Sequence, residues 1–405
     1  MSLGNAHPGL SLPHYLLWLA LSTAVWAQPS ADALQVSEDL QSSNGLGTSL
    51  GLQGTRPDII AYRRLIERVE SSEGAYAGAL TEHLLSLGQL MQAQGDHEEA
   101  IDLFKRGVHL ARINEGLYSA GQIPLLQGEI NSHIASGDYE SADDRQRYLY
   151  RVQIRSMKEG DNLATALMQH AGWQYQAYQL RLGSQDYARL MDMSAFYQLA
   201  AQDISRREGE LSPNLLQPLY GRLQAQYLIA DYDWGSQMQS VEDDFTARQR
   251  RLQFSAHLAS NYRNGSEVIS RIYSVEQHDN QALDEQILTE AEALVMLGDW
   301  QLYNEERNAA WEYYGRAFEE LGKLPDAQAQ RQAIFGAPVA LPDLEGLRPL
   351  PDANSVEEGH ILLKFAVTHR GKVVDVKRLD DNDALDSQAY RLMRKLRKTP
   401  FRPRF

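Results

Sequence analysis

The residues able to do chemistry are scattered along this chain rather than grouped. It has no cysteine in 405 residues, which excludes a disulfide framework, a thiolate zinc site, a cysteine nucleophile and a lipidated amino-terminal cysteine. His83, His97 and His109 fall in one region, at spacings that put no pair on a metal-binding face with a carboxylate; His257, His278, His360 and His369 are dispersed. All read as surface or rim side chains. Gly47-Thr48-Ser49-Leu50-Gly51 matches the G-x-S-x-G pattern, which needs a strand before it and a helix after it to hold the serine in a strained turn. Its flanks are Gly/Ser/Gln-rich, so the serine reads as part of a linker. Asp380-Asp381-Asn382-Asp383 lacks the following glycine and distal glutamate of a calcium loop and reads as a capped strand-to-helix turn. Asp143-Asp144 and Asp243-Asp244 read as solvated helix charges. With no H-E-x-x-H and no phosphate-binding loop, no catalytic, cofactor or metal residue is expected, and the chain is read as non-enzymatic.

Charge points the same way. The net charge of −15 argues against nucleic acid, whose phosphates need a basic face. The charge is uneven: twelve Lys/Arg against five Asp/Glu from residue 359 onward give +7, while the preceding residues hold 27 and 49 and carry −22. A basic tail that docks on the acidic body or on an anionic partner would account for this.

Residues 1–27 read as an address. Tyr15–Ala27 is an apolar run of 13 residues, with Val25 and Ala27 at signal-peptidase positions and no Lys or Arg before it. It is shorter than the roughly 20 residues a membrane span needs, so a cleaved signal leading to the periplasm is expected; the alternative is an uncleaved inner-membrane anchor. Residues 28–57 form a flexible linker.

Residues 58–335 are rich in helix formers. In the stretch Leu87–Phe104, Gly88 and Ala100 supply the small residues that let two helices cross closely, Leu87, Met91 and Phe104 fill the space between them, and Gly95-Asp96 makes the turn. Leu297-Gly298, Ala310, Tyr314 and Ala317 fall at the same offsets, and Gly137-Asp138 with Ala142 gives a weaker copy 42 residues after Gly95. This resembles the tetratricopeptide repeat, whose usual period is about 34 residues; longer helices or an inserted turn near Asn114–Gln122 would make up the difference. Between residues 160 and 279, Ala171-Gly172-Trp173 reads as a helix crossing, Ser212-Pro213 as a helix start, and Leu219, Leu223, Tyr227 and Ile229 as an apolar face. Six to eight hairpins would fill residues 58–335. The fold class expected is mainly α, a helical-hairpin solenoid followed by a small α+β domain. A solenoid presents an extended concave face suited to binding other chains. Tyr175, Tyr178, Tyr187, Tyr197, Tyr220, Tyr227 and Tyr313, among 20 tyrosines, would either line that face or, as the commoner case, pack between helices with their hydroxyls at the rim.

Residues 336–358, with Pro338, Pro342, Pro349 and Pro351, read as an extended linker. Beyond it Ile361, Leu363, Phe365 and Val367 alternate on one face of a strand. Arg370-Gly371 makes a hairpin turn, Lys372–Leu379 returns, and Leu385, Ala389, Leu392 and Leu396 mark one helix face among Arg391, Arg394, Lys395, Arg397 and Lys398. With Pro400-Phe401-Arg402-Pro403 closing the sequence, residues 359–405 resemble the carboxy-terminal domain of TonB-type energy transducers, without its last strand. The resemblance implies a periplasmic domain that binds extended segments of outer-membrane receptors by adding a strand. The partner-binding candidates are accordingly Ile361, Leu363, Phe365, Val367, Val374, Val376, Arg391, Arg394 and Lys395. A hairpin plus one helix is marginal alone, so its open strand edge is expected to be completed by the solenoid, a second copy (a homodimer) or a partner strand.

The function expected is a periplasmic protein–protein interaction adaptor, the solenoid holding one partner and the tail another by strand pairing. Its partners would be proteins of the cell envelope, with an outer-membrane receptor or peptidoglycan as candidates. The alternative is a membrane-anchored TonB-type transducer supporting outer-membrane transport.

Overall fold

A computed structural model describes residues 56–157, 162–183, 186–232, 245–279, 282–343, 361–379 and 385–404. The amino-terminal address, the G-x-S-x-G stretch, Asp243-Asp244, residues 344–358 of the Pro-rich linker and Asp380–Asp383 lie outside them. Among the described residues no helix is long and apolar enough to cross a membrane. The chain forms two compact units, one taking the described residues up to Ala259 and the other those from Ser260 onward.

In the first unit α1 (Arg56–Glu73) packs on α2 (Leu80–Ala93), which forms a hairpin with α3 (His97–Glu115). Two further hairpins follow: α4 (Gln122–Ala135) with α5 (Tyr139–Ser156), and α6 (Leu163–Gln179) with α7 (Asp186–Glu208). A short 3-10 turn at Pro213–Leu215 leads into α8 (Leu216–Ala230), which packs on α7. Ser212 starts that turn as expected, its Oγ accepting the Asn214 N–H at 3.2 Å. α9 (Phe245–Asp279) enters the second unit at Ser260. There α10 (Leu283–Tyr303) and α11 (Arg307–Leu321) form a hairpin followed by α12 (Ala327–Phe335). The helices are long, 23 residues in α7 and 35 in α9, so fewer hairpins occupy the described residues than the six to eight expected.

The close crossings are those the spacing pointed to. A Cβ added at Gly88 would sit 2.5 Å from the Phe104 ring, and one at Gly298 would sit 2.6 Å from the Tyr314 ring. Each aromatic ring therefore lies directly on a helix backbone, and both rings are fully buried. Gly172 is different. Nothing lies within 4 Å of the position its Cβ would take, so the crossing there uses its neighbour Ala171, buried against Met193 and Ala225.

The turns share one helix ending. After α2, α4, α6 and α10 the N–H of Asp96, Asp138, Leu182 and Glu306 returns to the carbonyl five residues earlier, and the residue before it has positive φ: Gly95 84°, Gly137 75°, Arg181 54°, Glu305 65°. This is the Schellman ending, for which glycine is best suited.

The carboxy-terminal piece has β1 (Leu363–Val367) and β2 (Val373–Arg378), antiparallel, then α13 (Asp386–Lys398). Lys364 pairs with Lys377 but Ala366 with Val374, so β2 carries a bulge where Asp375 takes φ 54°. The turn glycine Gly371 has φ 73° and lies against the backbone of Phe401.

Candidate partner-binding surfaces

Two buried aspartates organise the two units, each gripped by an arginine fork and an aromatic donor. In the first unit Asp143 of α5 accepts from Trp173 Nε1 of α6 at 2.8 Å and from Arg189 of α7 at 2.9 and 2.6 Å. It is buried, which corrects its reading as a solvated charge; Asp144 is exposed. A carboxylate moved out of water needs a cation and further donors, and Asp143 has both, so α5, α6 and α7 are tied at one point.

Beside this tie lies a groove of about 890 Å³, lined by α3, α5 and α7, the second helices of three successive hairpins, with His170 and Gln174 of α6 on its wall. The packing of α6 on α5 is slighter than that of α4 on α3, and the groove lies along this junction. Its aromatic floor is made by Tyr150, His170 and Phe196, with ring centroids 5.0, 5.0 and 6.0 Å apart. Burial pulls the His170 imidazole down to about 4, and its Nε2 meets Gln153 Oε1 at 2.6 Å, so the ring is a neutral part of the wall. Around it stand Arg112, Arg145, Arg147, Arg151 and Arg189, against Asp144 and Asp192. Arg189 is spent on Asp143, and Arg145 reaches Glu129 at 2.8 Å. Arg112 and Arg151 are exposed, and Arg151 stacks over the Tyr148 ring. Leu199, 43% exposed, adds an apolar edge. A concave site with an aromatic floor and cationic rim suits an occupant with an apolar anchor between carboxylates.

The second aspartate is Asp299 of α10. It accepts from Tyr314 Oη at 2.8 Å and from Arg402 Nε and Nη2 at 3.0 and 2.6 Å; Arg402 Nη2 also reaches Asp343 at 3.1 Å. Burial works against charge on both groups. It pushes the Asp299 carboxyl up, whereas on Arg402 the hydrogen bonds and attraction from Asp299 outweigh it and hold the guanidinium above its ordinary value. The backbone around Arg402 is also committed. Arg402 N–H donates to Val339 and Leu341 N–H to Pro400, while Phe401 N–H donates to Gly371 and Arg404 N–H to His369. The segment around Phe401 thus lies between residues 339–341 and the β1–β2 turn, and part of the expected linker is a pairing partner.

Of the candidate binding residues, Ile361, Leu363, Phe365 and Val367 are buried with Val373, Leu385, Ala389, Leu396 and Phe401 in one apolar core. Their side chains make that core. The sheet is two-stranded among the described residues. Val374 and Val376 are half-buried, and Arg391, Arg394 and Lys395 are exposed on α13. None of the seven tyrosines considered is exposed: Tyr187 and Tyr227 are buried and Tyr175, Tyr178, Tyr197, Tyr220 and Tyr313 half-buried. The histidines that matter to the packing, His133 and His170, are both buried and carry no sequence pattern that singles them out.

No protein-family model and no curated protein matches the chain. Among solved structures it is similar to BtubC (BKLC) from P. vanneervenii, at 15% identity and TM-score 0.36, over 73% of this chain and 94% of that one. It is also similar to a Podosopora anserina putative kinesin light chain with nearly identical TPR-like repeats, at 11% identity and TM-score 0.37, over 62% of this chain and 99% of that one. A single-substitution variant of the latter gives 11% and 0.36, over 66% and 98%. The tetratricopeptide-like character of the fold rests on the glycine crossings and turns described above. Repeats of this kind serve protein–protein interaction by presenting extended surfaces to other chains.

Proposed function

We propose that the chain is a non-enzymatic adaptor of the periplasm that holds an acidic polypeptide in the α3–α5–α7 groove and a second, extended segment at its carboxy-terminal hairpin. The observation that carries this reading is the arginine-rimmed groove with its aromatic floor on an otherwise acidic chain. Arg112 and Arg151 supply attraction and Tyr150 and Phe196 the contact area, which together favour carboxylates flanking an apolar side chain. The periplasmic part of the proposal rests on Tyr15–Ala27, and the strand-pairing part on the resemblance of residues 359–405 to TonB-type domains. On that reading an outer-membrane receptor segment or a second copy would pair with the strand edge, with peptidoglycan the other candidate ligand.

Photo-crosslinking in cells tests it. A crosslinking amino acid at Leu199 is expected to capture discrete polypeptides, lost when Arg112→Glu and Arg151→Glu are added, whereas one at Tyr76 on the α1–α2 loop captures none of them. Capture unchanged by the two charge reversals, or a chain found with the cytoplasmic fraction, would overturn the corresponding half of the proposal.

A further inference from the structure

The groove of the first unit is complementary to a stretch of this same chain. Its rim holds two exposed arginines, Arg112 and Arg151, neither of which forms an ion pair with a described residue. Asp144 pairs with Arg147 and Asp143 with Arg189, so Asp192 is the remaining acid of the lining. Tyr150 and Phe196 make the floor, and Leu199 stands exposed at the edge. An occupant suited to this wall carries carboxylates on either side of apolar side chains.

Residues 28–55, which precede the described helices, have that composition. They hold Asp32, Glu38 and Asp39 and no Lys, Arg or His, and Leu34 and Val36 stand between the acids. From Gln41 to Thr55 the chain is rich in Gly and Ser and carries no charge. The other acidic stretch outside the described residues, 233–244, clusters Glu242, Asp243 and Asp244 with no apolar residue between them. It is also tied at both ends, by α8 and α9.

Reach follows from how α1 lies on α3. Arg63 meets Glu99 at 2.6 Å and Glu70 meets Arg106. These pairs are seven residues apart on both helices, so α1 and α3 run side by side in the same direction. Arg56 opens α1 seven residues before Arg63, and Arg112 lies 13 residues beyond Glu99. At 1.5 Å per residue the two levels are about 30 Å apart. The chain from Leu40 to Arg56 reaches about 55 Å when stretched and spans about 22 Å as a Gly-rich coil. The acidic stretch therefore meets the rim without being drawn taut, at an effective concentration on the order of millimolar.

We propose that residues 32–40 occupy the α3–α5–α7 groove of their own chain and that an incoming acidic polypeptide must displace them. This self-occupancy rests on the acidic-ligand reading of the groove and makes partner binding a competition. Because the chain has no cysteine, introduced pairs test it cleanly. In the full chain, Val36→Cys/Leu199→Cys is expected to form an intrachain disulfide on mild oxidation at least about tenfold faster than Val36→Cys/Glu98→Cys, although exposed Glu98 lies nearer to Arg56 along α3. Adding Asp32→Lys/Glu38→Lys should remove that advantage, and so should Arg112→Glu/Arg151→Glu, with circular dichroism confirming intact helices. In the cysteine-free chain, Asp32→Lys/Glu38→Lys/Asp39→Lys should bind a synthetic peptide of alternating glutamate and leucine around one phenylalanine about tenfold more tightly than the parent. Equal coupling to Leu199 and Glu98, or a peptide affinity unchanged by the three lysines, overturns the self-occupancy. If the peptide still binds through Arg112 and Arg151, only the resident segment is lost; if it binds neither protein, the acidic-ligand reading fails as well. A disulfide joining two chains also overturns the proposal and gives the groove to the segment of a second copy. Coupling of Leu199→Cys to Val241→Cys, and not to Val36→Cys, gives it to residues 233–244.

Discussion

Asp143 and Asp299 show what a buried carboxylate needs. Each has a bidentate arginine and one aromatic N–H or O–H donor, and each arginine comes from an element distant in sequence, 46 residues on for Arg189 and 103 for Arg402. Removing the cation leaves the charge stranded. Arg402→Met should therefore cost the second unit roughly 3–5 kcal/mol in urea unfolding, and adding Asp299→Asn should recover much of it. A loss below about 1 kcal/mol would mean the pair is solvated. His170 gives a second test. Its imidazole titrates near 6.5 when unfolded and about 4 when folded, so between those values the unfolded chain binds the extra proton. Stability is then fully present above about pH 6.5 and falls as pH drops toward 4, by about 3 kcal/mol at most. His170→Gln should flatten that decline in urea midpoints measured from pH 7 to pH 4.5; an unchanged slope would contradict it. Neither aspartate was legible in the sequence. Asp143 stands next to Asp144 in a charged helix, and no local spacing announces an arginine 46 residues away.

Among the elements, the helix crossings were legible because they depend on residue size at fixed offsets. Gly88 with Phe104 and Gly298 with Tyr314 are both 16 residues apart and both in contact. Gly298→Ala should push the Tyr314 ring off its seat and cost roughly 1–3 kcal/mol, read from the thermal melt. The crossing at Ala171-Gly172-Trp173 is made by Ala171 rather than Gly172, because sequence alone does not say which of two adjacent small residues faces the neighbouring helix. The turns carry a finer lesson. Glu305 takes the positive φ that glycine takes at positions 95 and 137, at a cost L-residues bear and glycine avoids. Glu305→Gly is expected to raise stability by about 0.5–1 kcal/mol, whereas Gly95→Ala should lower it by about 1 kcal/mol. A Glu305→Gly variant no more stable than the parent would show that the strain is relieved elsewhere. In the carboxy-terminal hairpin, the β1–β2 turn at Gly371 and the α13 face were legible from alternation and spacing. The bulge at Asp375 was not, since it appears only when β2 pairs with β1.

For the whole molecule, residue spacing gave the helical-hairpin class and structure gave the places. A chain with no cysteine, dispersed histidines and a helix-forming body reads as a binder, and its acidic body with a basic carboxy-terminal piece is plain from the charge count. The groove was not legible: α3, α5, α6 and α7 contribute to it, and the arginines that rim it lie between residues 112 and 189 without a shared motif. What occupies it decides the protein's role. Hydrogen exchange of the full chain, with and without a synthetic peptide of alternating glutamate and leucine around one phenylalanine, tests it most directly. Protection confined to residues 145–151 and 189–199, abolished by Arg112→Glu/Arg151→Glu and absent with the matching lysine–leucine peptide, is the predicted result. Equal protection by both peptides, or protection that leaves α5 and α7 untouched, would contradict it.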